Sequence, residues 1–120
     1  MCGFMGCYNP NISIEELGNR TRVAIDSLAH RGPDDSGVEV VKEGLSLAHR
    51  RLSILDLSPL GHQPYRSPRK GELLVYNGEI YNYHSIRSEL EKETGYVFKS
   101  TGDTEAVSYT HLTLPTTPYV

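Results

Sequence analysis

No stretch of this 120-residue sequence approaches ~18 consecutive apolar residues, which excludes a membrane-spanning helix. Basic charge is also scarce. Twelve Lys and Arg stand against 15 Asp and Glu, a net charge of −3, which argues against a nucleic acid or an anionic membrane as partner. There are only two cysteines, Cys2 and Cys7. On a strand over positions 2–8 their opposite parity would point them to opposite faces, so no disulfide is expected. None of the five His pairs with them at zinc-binding spacing, so no metal site is expected either. Positions 2–8 (CGFMGCY) are too short and Gly-rich for the apolar core of a signal peptide, and a cytoplasmic location is expected. Charge itself is missing from one end. Every charged residue lies in positions 1–106 and none in Val107–Val120, a blank that 22% charge would leave by chance about 3% of the time.

What is present suits one domain. The length matches a single unit of roughly 100–150 residues, and 38% apolar residues spread along the chain can build a core. Positions 2–8 read as a short buried strand, followed by an Asn9-Pro10-Asn11 turn. Ser13-Ile14-Glu15-Glu16 is a capping box, with Ile12 and Leu17 at the two ends of a hydrophobic staple. Leu17, Val23, Ala24, Ile25 and Leu28 then fit one face of a helix that stops before Gly32-Pro33. Gly37–Val41 and Leu45–His49 flank Lys42-Glu43-Gly44 as a hairpin. Arg51–Leu57 continues as strand or extended loop, and Ser58–Lys70, with three of the seven Pro, reads as irregular. Glu72–Tyr76 reads as a strand. Asn82 can cap a second helix with Tyr83, Ile86 and Leu90 on one face and Gly95 as its stop. Val97–Lys99 is a last short strand. Strands and helices mix without a regular βαβ beat, so the class is α+β.

Several residues carry two readings. Cys2 is either a small buried strand residue or, once Met1 is removed, an N-terminal cysteine that holds a thiol and a basic amine on one framework. An α-amine with an unperturbed pKa of about 7.7–8.0 can serve as that thiol's base. Cys7 has no such advantage and reads as core. Asn77-Gly78, between Leu73–Tyr76 and Glu79–Tyr81, is either a type I′ hairpin turn or an oxyanion hole built from the Asn77 amide and the Gly78 N–H. The run His30-Arg31-Gly32-Pro33-Asp34-Asp35-Ser36-Gly37 is either a polar connection or a shaped surface beside a site. Arg51 sits among Leu52, Ile54 and Leu55 and needs an anionic partner if it faces inward. Asp103, after Thr101-Gly102, could simply be a helix N-cap.

Together these features resemble a known family. MCGFMGCY, HRGPDDSG, HRRLSILDLSPLGHQPY, VYNGEIYNY and STGDTEAV are similar, in sequence and order, to the N-terminal glutaminase domain of glutamine-dependent asparagine synthetases. That domain is a class II glutamine amidotransferase of the N-terminal-nucleophile hydrolase superfamily. The H-T-R-W or H-T-R-Y element of sister amidotransferases is lacking here. The resemblance implies Cys2 as the nucleophile on the side-chain amide carbon of L-glutamine, and Asn77 and Gly78 as oxyanion donors. It implies Arg51, Leu52, Ser53 and Ile54 around the substrate, with Arg51 on its α-carboxylate, and Asp103 with Glu79 near its α-ammonium. A glutamyl thioester would form and be hydrolysed to glutamate. No cofactor is implied for this segment. In the parent enzyme, ammonia would pass to a second domain, missing here, where ATP and Mg²⁺ activate aspartate. The resemblance leaves room for a homodimeric parent. A non-catalytic binding module is the competing class, but it would have no need of Cys2, Arg51, Asn77, Gly78 and Asp103 together.

The family pattern calls for an amphipathic helix after Thr104-Glu105-Ala106 and then strands that complete a two-sheet αββα sandwich. Val107–Val120, with Pro115 and Pro118 and no charged face, does not read as that helix. Val107–Thr117 (VSYTHLTLPTT) instead looks like the in-frame translation of a transposase-type sequencing adapter. The expectation is therefore an incomplete αββα sandwich over residues 1–106 and a non-native tail over residues 107–120.

Overall fold

Strand β1 (Gly3–Tyr8) runs antiparallel to β3 (Leu45–Arg51), which also pairs with β2 (Asp35–Val41), giving a three-stranded antiparallel sheet in the order β1-β3-β2. The computed structural model describes residues 1–41, 44–68 and 71–113. Lys42-Glu43 of the expected turn, Arg69-Lys70 and the tail from residue 114 lie outside the described residues. Gly44 closes the β2–β3 connection at φ 74°, a backbone setting that glycine takes without strain.

One face of the sheet is covered by helix α1 (Ile14–Asp26). The Ser13 half of the capping box forms: its hydroxyl accepts from the Glu16 N–H at 3.1 Å, while the Glu16 carboxylate pairs with Arg20. Leu17, Thr21 and Ile25 are buried, and the Thr21 and Ser46 hydroxyls meet at 2.6 Å between helix and sheet. Val23 does not join them. It is 76% exposed, because the buried row steps by four residues through 17, 21 and 25, and position 23 falls on the other side of the turn.

The opposite face of β3 carries His49 and meets the segment beyond the sheet. The described residues of that segment hold a 3₁₀ turn (Pro59–Gly61) and a two-stranded ladder of β4 (Tyr65–Arg66) and β5 (Leu73–Leu74). The expected strand Glu72–Tyr76 is thus reduced to two residues. Helix α2 (Tyr83–Thr94) ends at Gly95, with φ 69°. Asn82 stands at its N-cap position but makes no side-chain capping bond.

Val97–Lys99 is not a strand. The Lys99 and Ser100 N–H groups donate to the Glu105 carboxylate at 2.8–3.2 Å, which leaves them nothing to give a ladder. Glu105 belongs to helix α3 (Asp103–Thr113). This corrects the reading of Val107 onward as non-helical: helix continues through Val107–Thr113, and both prolines of the tail, Pro115 and Pro118, lie outside the described residues. Ala106 and Tyr109 pack with Phe98, Leu90 and Tyr96 in a second apolar cluster. The layers therefore run α1, three-stranded sheet, β4–β5 with its connections, then α2 and α3. This is an α+β arrangement with the start of an αββα order.

Candidate active site

The β1 start, the β3 end and the 76–79 segment converge on a cleft of about 340 Å³ that α3 closes at one end. Cys2, Arg51, Leu52, Ile54, Asn77, Gly78, Glu79 and Asp103 all line it. Of the residues expected there, Ser53 does not: its N–H donates to the Asp34 carboxylate at 2.7 Å, behind the cleft wall.

Cys2 is half-buried beside β3. Its Sγ accepts from the Leu52 N–H at 3.3 Å and lies 3.6 Å from the Leu52 carbonyl oxygen. Arg31 donates from Nε to the Cys2 carbonyl oxygen at 3.1 Å. A Cβ at Gly32 would overlap the Arg50–Arg51 peptide, so only glycine lets this loop lie so close to β3. Arg31 and Gly32 of the 30–37 run thus pack against Cys2 and the end of β3, while residues 35–37 begin β2. Met1 is 76% exposed at the cleft mouth.

Asn77-Gly78 is not a hairpin turn. Residues 77–80 form no ladder. Instead Tyr76, the residue before the pair, has both backbone groups taken. Its N–H donates to Gln63 Oε1 at 2.6 Å, and its carbonyl oxygen faces His49 Nε2 at 3.1 Å. On the far side the Ile80 N–H donates to Asp103 Oδ2 at 3.0 Å. Asn77, Gly78 and Glu79 are left exposed to the cleft. Asp103 thus opens α3 but spends an oxygen on Ile80 and does not act as a simple cap.

Arg51 is buried, and its partners are neutral. Nη1 donates to the Ser58 carbonyl oxygen at 3.0 Å and Nη2 to that of Asp56. Two carbonyls occupy two of its five donors, and the guanidinium keeps its charge toward the cleft. Gly61 lies directly against the guanidinium, where any side chain would collide with it. Asp56, unremarked in the sequence, links this cation to the acidic end. Its carboxylate accepts from the Ser58 N–H and hydroxyl at 2.8 and 2.5 Å and from the Thr101 N–H at 3.0 Å. Burial pushes the Asp56 carboxyl up, but these bonds outweigh it and bring it down to about 2. Burial, then the Asp103 and Glu79 carboxylates, raises the Tyr76 phenol above its ordinary value. The cleft therefore has a cationic end at Arg51 and an anionic end at Asp103 and Glu79, with Asp56 between.

Sequence reading missed Asp56, Gln63, Tyr76 and His49. All four lie within the quoted motif strings, yet each has a partner 13 or more positions away that nothing local announces. Among the described residues no group of three or more His, Cys, Asp or Glu is placed to hold a metal ion, and no helix is long and apolar enough to cross a membrane.

A half-buried cysteine at position 2, facing an exposed Asn-Gly pair across an amino-acid-sized cleft on an antiparallel α+β frame, is the arrangement of an N-terminal-nucleophile glutamine amidotransferase. The chain belongs to that family: the model of the glutamine amidotransferase domain matches residues 1–114. It is 36% identical over 113 residues to asparagine synthetase [glutamine-hydrolyzing] 1 of Bacillus subtilis, covering 92% of this chain and 17% of that protein. With asparagine synthetase B of Escherichia coli it shares 35% over 107 residues, 89% of this chain and 19% of that protein. Amidase chry2 of Gibberella zeae is 37% identical over 99 residues, 82% of this chain and 14% of that protein. The chain thus spans less than a fifth of the length of each of these relatives.

Proposed function

We propose that this chain is the glutaminase half of an asparagine synthetase, whose synthetase half lies outside these residues. Removal of the exposed Met1 frees the Cys2 α-amine. That amine takes the thiol proton as Sγ attacks the side-chain amide carbon of L-glutamine. The tetrahedral oxyanion is held by the Asn77 amide and the Gly78 N–H, and collapse expels ammonia, protonated by the same amine. Water then hydrolyses the glutamyl thioester to glutamate. Ammonia would serve ATP- and Mg²⁺-dependent amidation of aspartate on the second domain.

The observation that carries this reading is the shared cleft. Cys2 and Asn77-Gly78 face it together with a cation and an anion joined through Asp56. A free α-amino acid bears its carboxylate and ammonium on one carbon, so it needs opposite charges side by side: Arg51 for the first, Asp103 and Glu79 for the second. The geometry of Arg51 suits a planar carboxylate.

The decisive experiment replaces Cys2 by Ala in the full-length parent. Glutamate release from glutamine should vanish while synthesis from added ammonia persists. Glutamate release at the wild-type rate would remove Cys2 from the mechanism. A second reading, an amidotransferase serving a different acceptor, is favoured by the similarity to amidase chry2. Assaying the ammonia-dependent product of the parent separates the two.

A further inference from the structure

An Asn-Gly pair between apolar runs closes readily into a two-residue turn, and that turn requires the residue before Asn to bond the residue after Gly. Here that residue is Tyr76, and both its backbone groups are diverted to side chains of other elements. We propose that His49 and Gln63 are positioning residues for the oxyanion-binding segment: by holding the N–H and the carbonyl of Tyr76 they keep Asn77-Gly78 open toward Cys2 and prevent the turn.

The two side chains are costly choices for their places, which argues that the bonds matter. His49 is 1% exposed on β3, and its Nδ1 is buried with no hydrogen-bond partner among the described residues. Among the described residues Tyr76 is thus the single hydrogen-bond partner of the ring, and an aliphatic residue would fill the same space without an unpaired nitrogen. Since a carbonyl oxygen only accepts, Nε2 carries the proton and His49 is the neutral donor. Burial, the leading influence on the ring, disfavours its charged form.

Gln63 is 6% exposed and is itself held in place. A Cβ at Gly37 would overlap the Gln63 carbonyl, so the glycine lets Gln63 approach β2. The neighbouring His62 pairs with Asp35, also on β2, at 2.6 Å. A connected path therefore runs from β2 and β3 through Gln63 and His49 to Tyr76, whose ring lies against Gly78. It explains why the polar run ending at Gly37 sits where it does.

The inference rests on Asn77 and Gly78 acting as oxyanion donors, so Asn77→Ala is measured alongside in the full-length parent. Asn77→Ala should lower kcat for glutamine hydrolysis ~10²–10³-fold. Gln63→Leu and His49→Leu, which remove the acceptor and the donor, should lower kcat about 10- to 100-fold with KM nearly unchanged, the scale of a ~1 Å misplacement. Gln63→Glu and His49→Gln, which keep an acceptor and a donor in reach, should recover most of it. Alkylation of Cys2 by iodoacetamide should proceed at the wild-type rate in all four, showing an intact cleft. Equal kcat losses for Gln63→Leu and Gln63→Glu, or losses that fall on KM, would overturn the positioning role while a damaging Asn77→Ala left the oxyanion reading standing. An unchanged kcat for Asn77→Ala would overturn that reading itself, and the positioning role with it.

Discussion

Asp56 is the residue on which the two charged ends of the cleft meet. Its backbone carbonyl accepts from Arg51, and its carboxylate holds Ser58 and the turn before α3. A carboxyl brought from an ordinary 3.8 down to about 2 in the folded chain stabilises the fold fully above the unfolded value. That contribution is lost as pH falls from about 4 toward about 2. Asp56→Asn removes the charge and should flatten this part of the acid profile. At neutral pH it should weaken local protection by roughly 1–3 kcal/mol, because an amide accepts less well than a carboxylate. Amide exchange at Ser58 and Thr101 in the full-length parent reads both effects, and parallel pH profiles for the two proteins would refute the assignment. Cys2, Asn77, Gly78 and Asp103, which line the cleft, could be singled out in the sequence because each has a local signature: a second position, a turn dipeptide, a Thr-Gly-Asp start. Asp56, His49 and Gln63 have none. The bonds that tie them to the rest of the site span 45, 27 and 13 positions, and only folding forms them.

At the scale of elements, the same contrast decides which strands and helices were legible. The Ser13 cap of α1 and the glycine stop of α2 rest on bonds within one turn, and both formed where the residues placed them. The two strand readings that failed, Val97–Lys99 and the full length of Glu72–Tyr76, were defeated by side chains from elsewhere that took the backbone donors. Glu105 is the clearer case. It is 3% exposed and accepts from the Lys99 N–H, the Ser100 N–H and hydroxyl, and the Tyr96 hydroxyl. Burial opposes its charge, but these donors outweigh burial and lower its carboxyl below the ordinary value, so it is ionised at neutral pH. Glu105→Ala would leave several buried donors unpaired and detach the 97–100 segment from α3. Thermal unfolding of the parent's glutaminase domain should show a loss of roughly 2–4 kcal/mol. A change within ~0.5 kcal/mol would mean that water replaces the carboxylate at no cost.

For the molecule as a whole, the expectation concerns the 120-residue chain expressed by itself: it should show little glutaminase activity although the cleft residues are all present. The three-stranded sheet has helix cover on one face only. On its other face Phe4 lies opposite His49, and Tyr8 lies opposite Leu45. Phe4, Tyr8 and Leu45 are 49%, 68% and 37% exposed. Among the described residues both outer strands, β1 and β2, also pair on one side only, since the order is β1-β3-β2. An apolar sheet face with free edges is a template for association. The α+β class was legible from the irregular beat of strands and helices, but this imbalance was not, because it depends on which face α1 chooses. Cys2 immediately precedes the edge strand β1, so whatever adheres to or distorts that edge shifts the proposed nucleophile, and ~1 Å is enough to lose ~10²-fold in rate. Residues 107–120, proposed above to be non-native, are tested separately by the nucleotide sequence behind codons 107–117. Light scattering and urea unfolding of the 1–120 protein test the rest. We expect associated material with a broad transition and little glutamate release. A monodisperse protein that unfolds cooperatively and hydrolyses glutamine would show instead that the cover these residues provide suffices to hold the cleft in register, and that they make a minimal amidase.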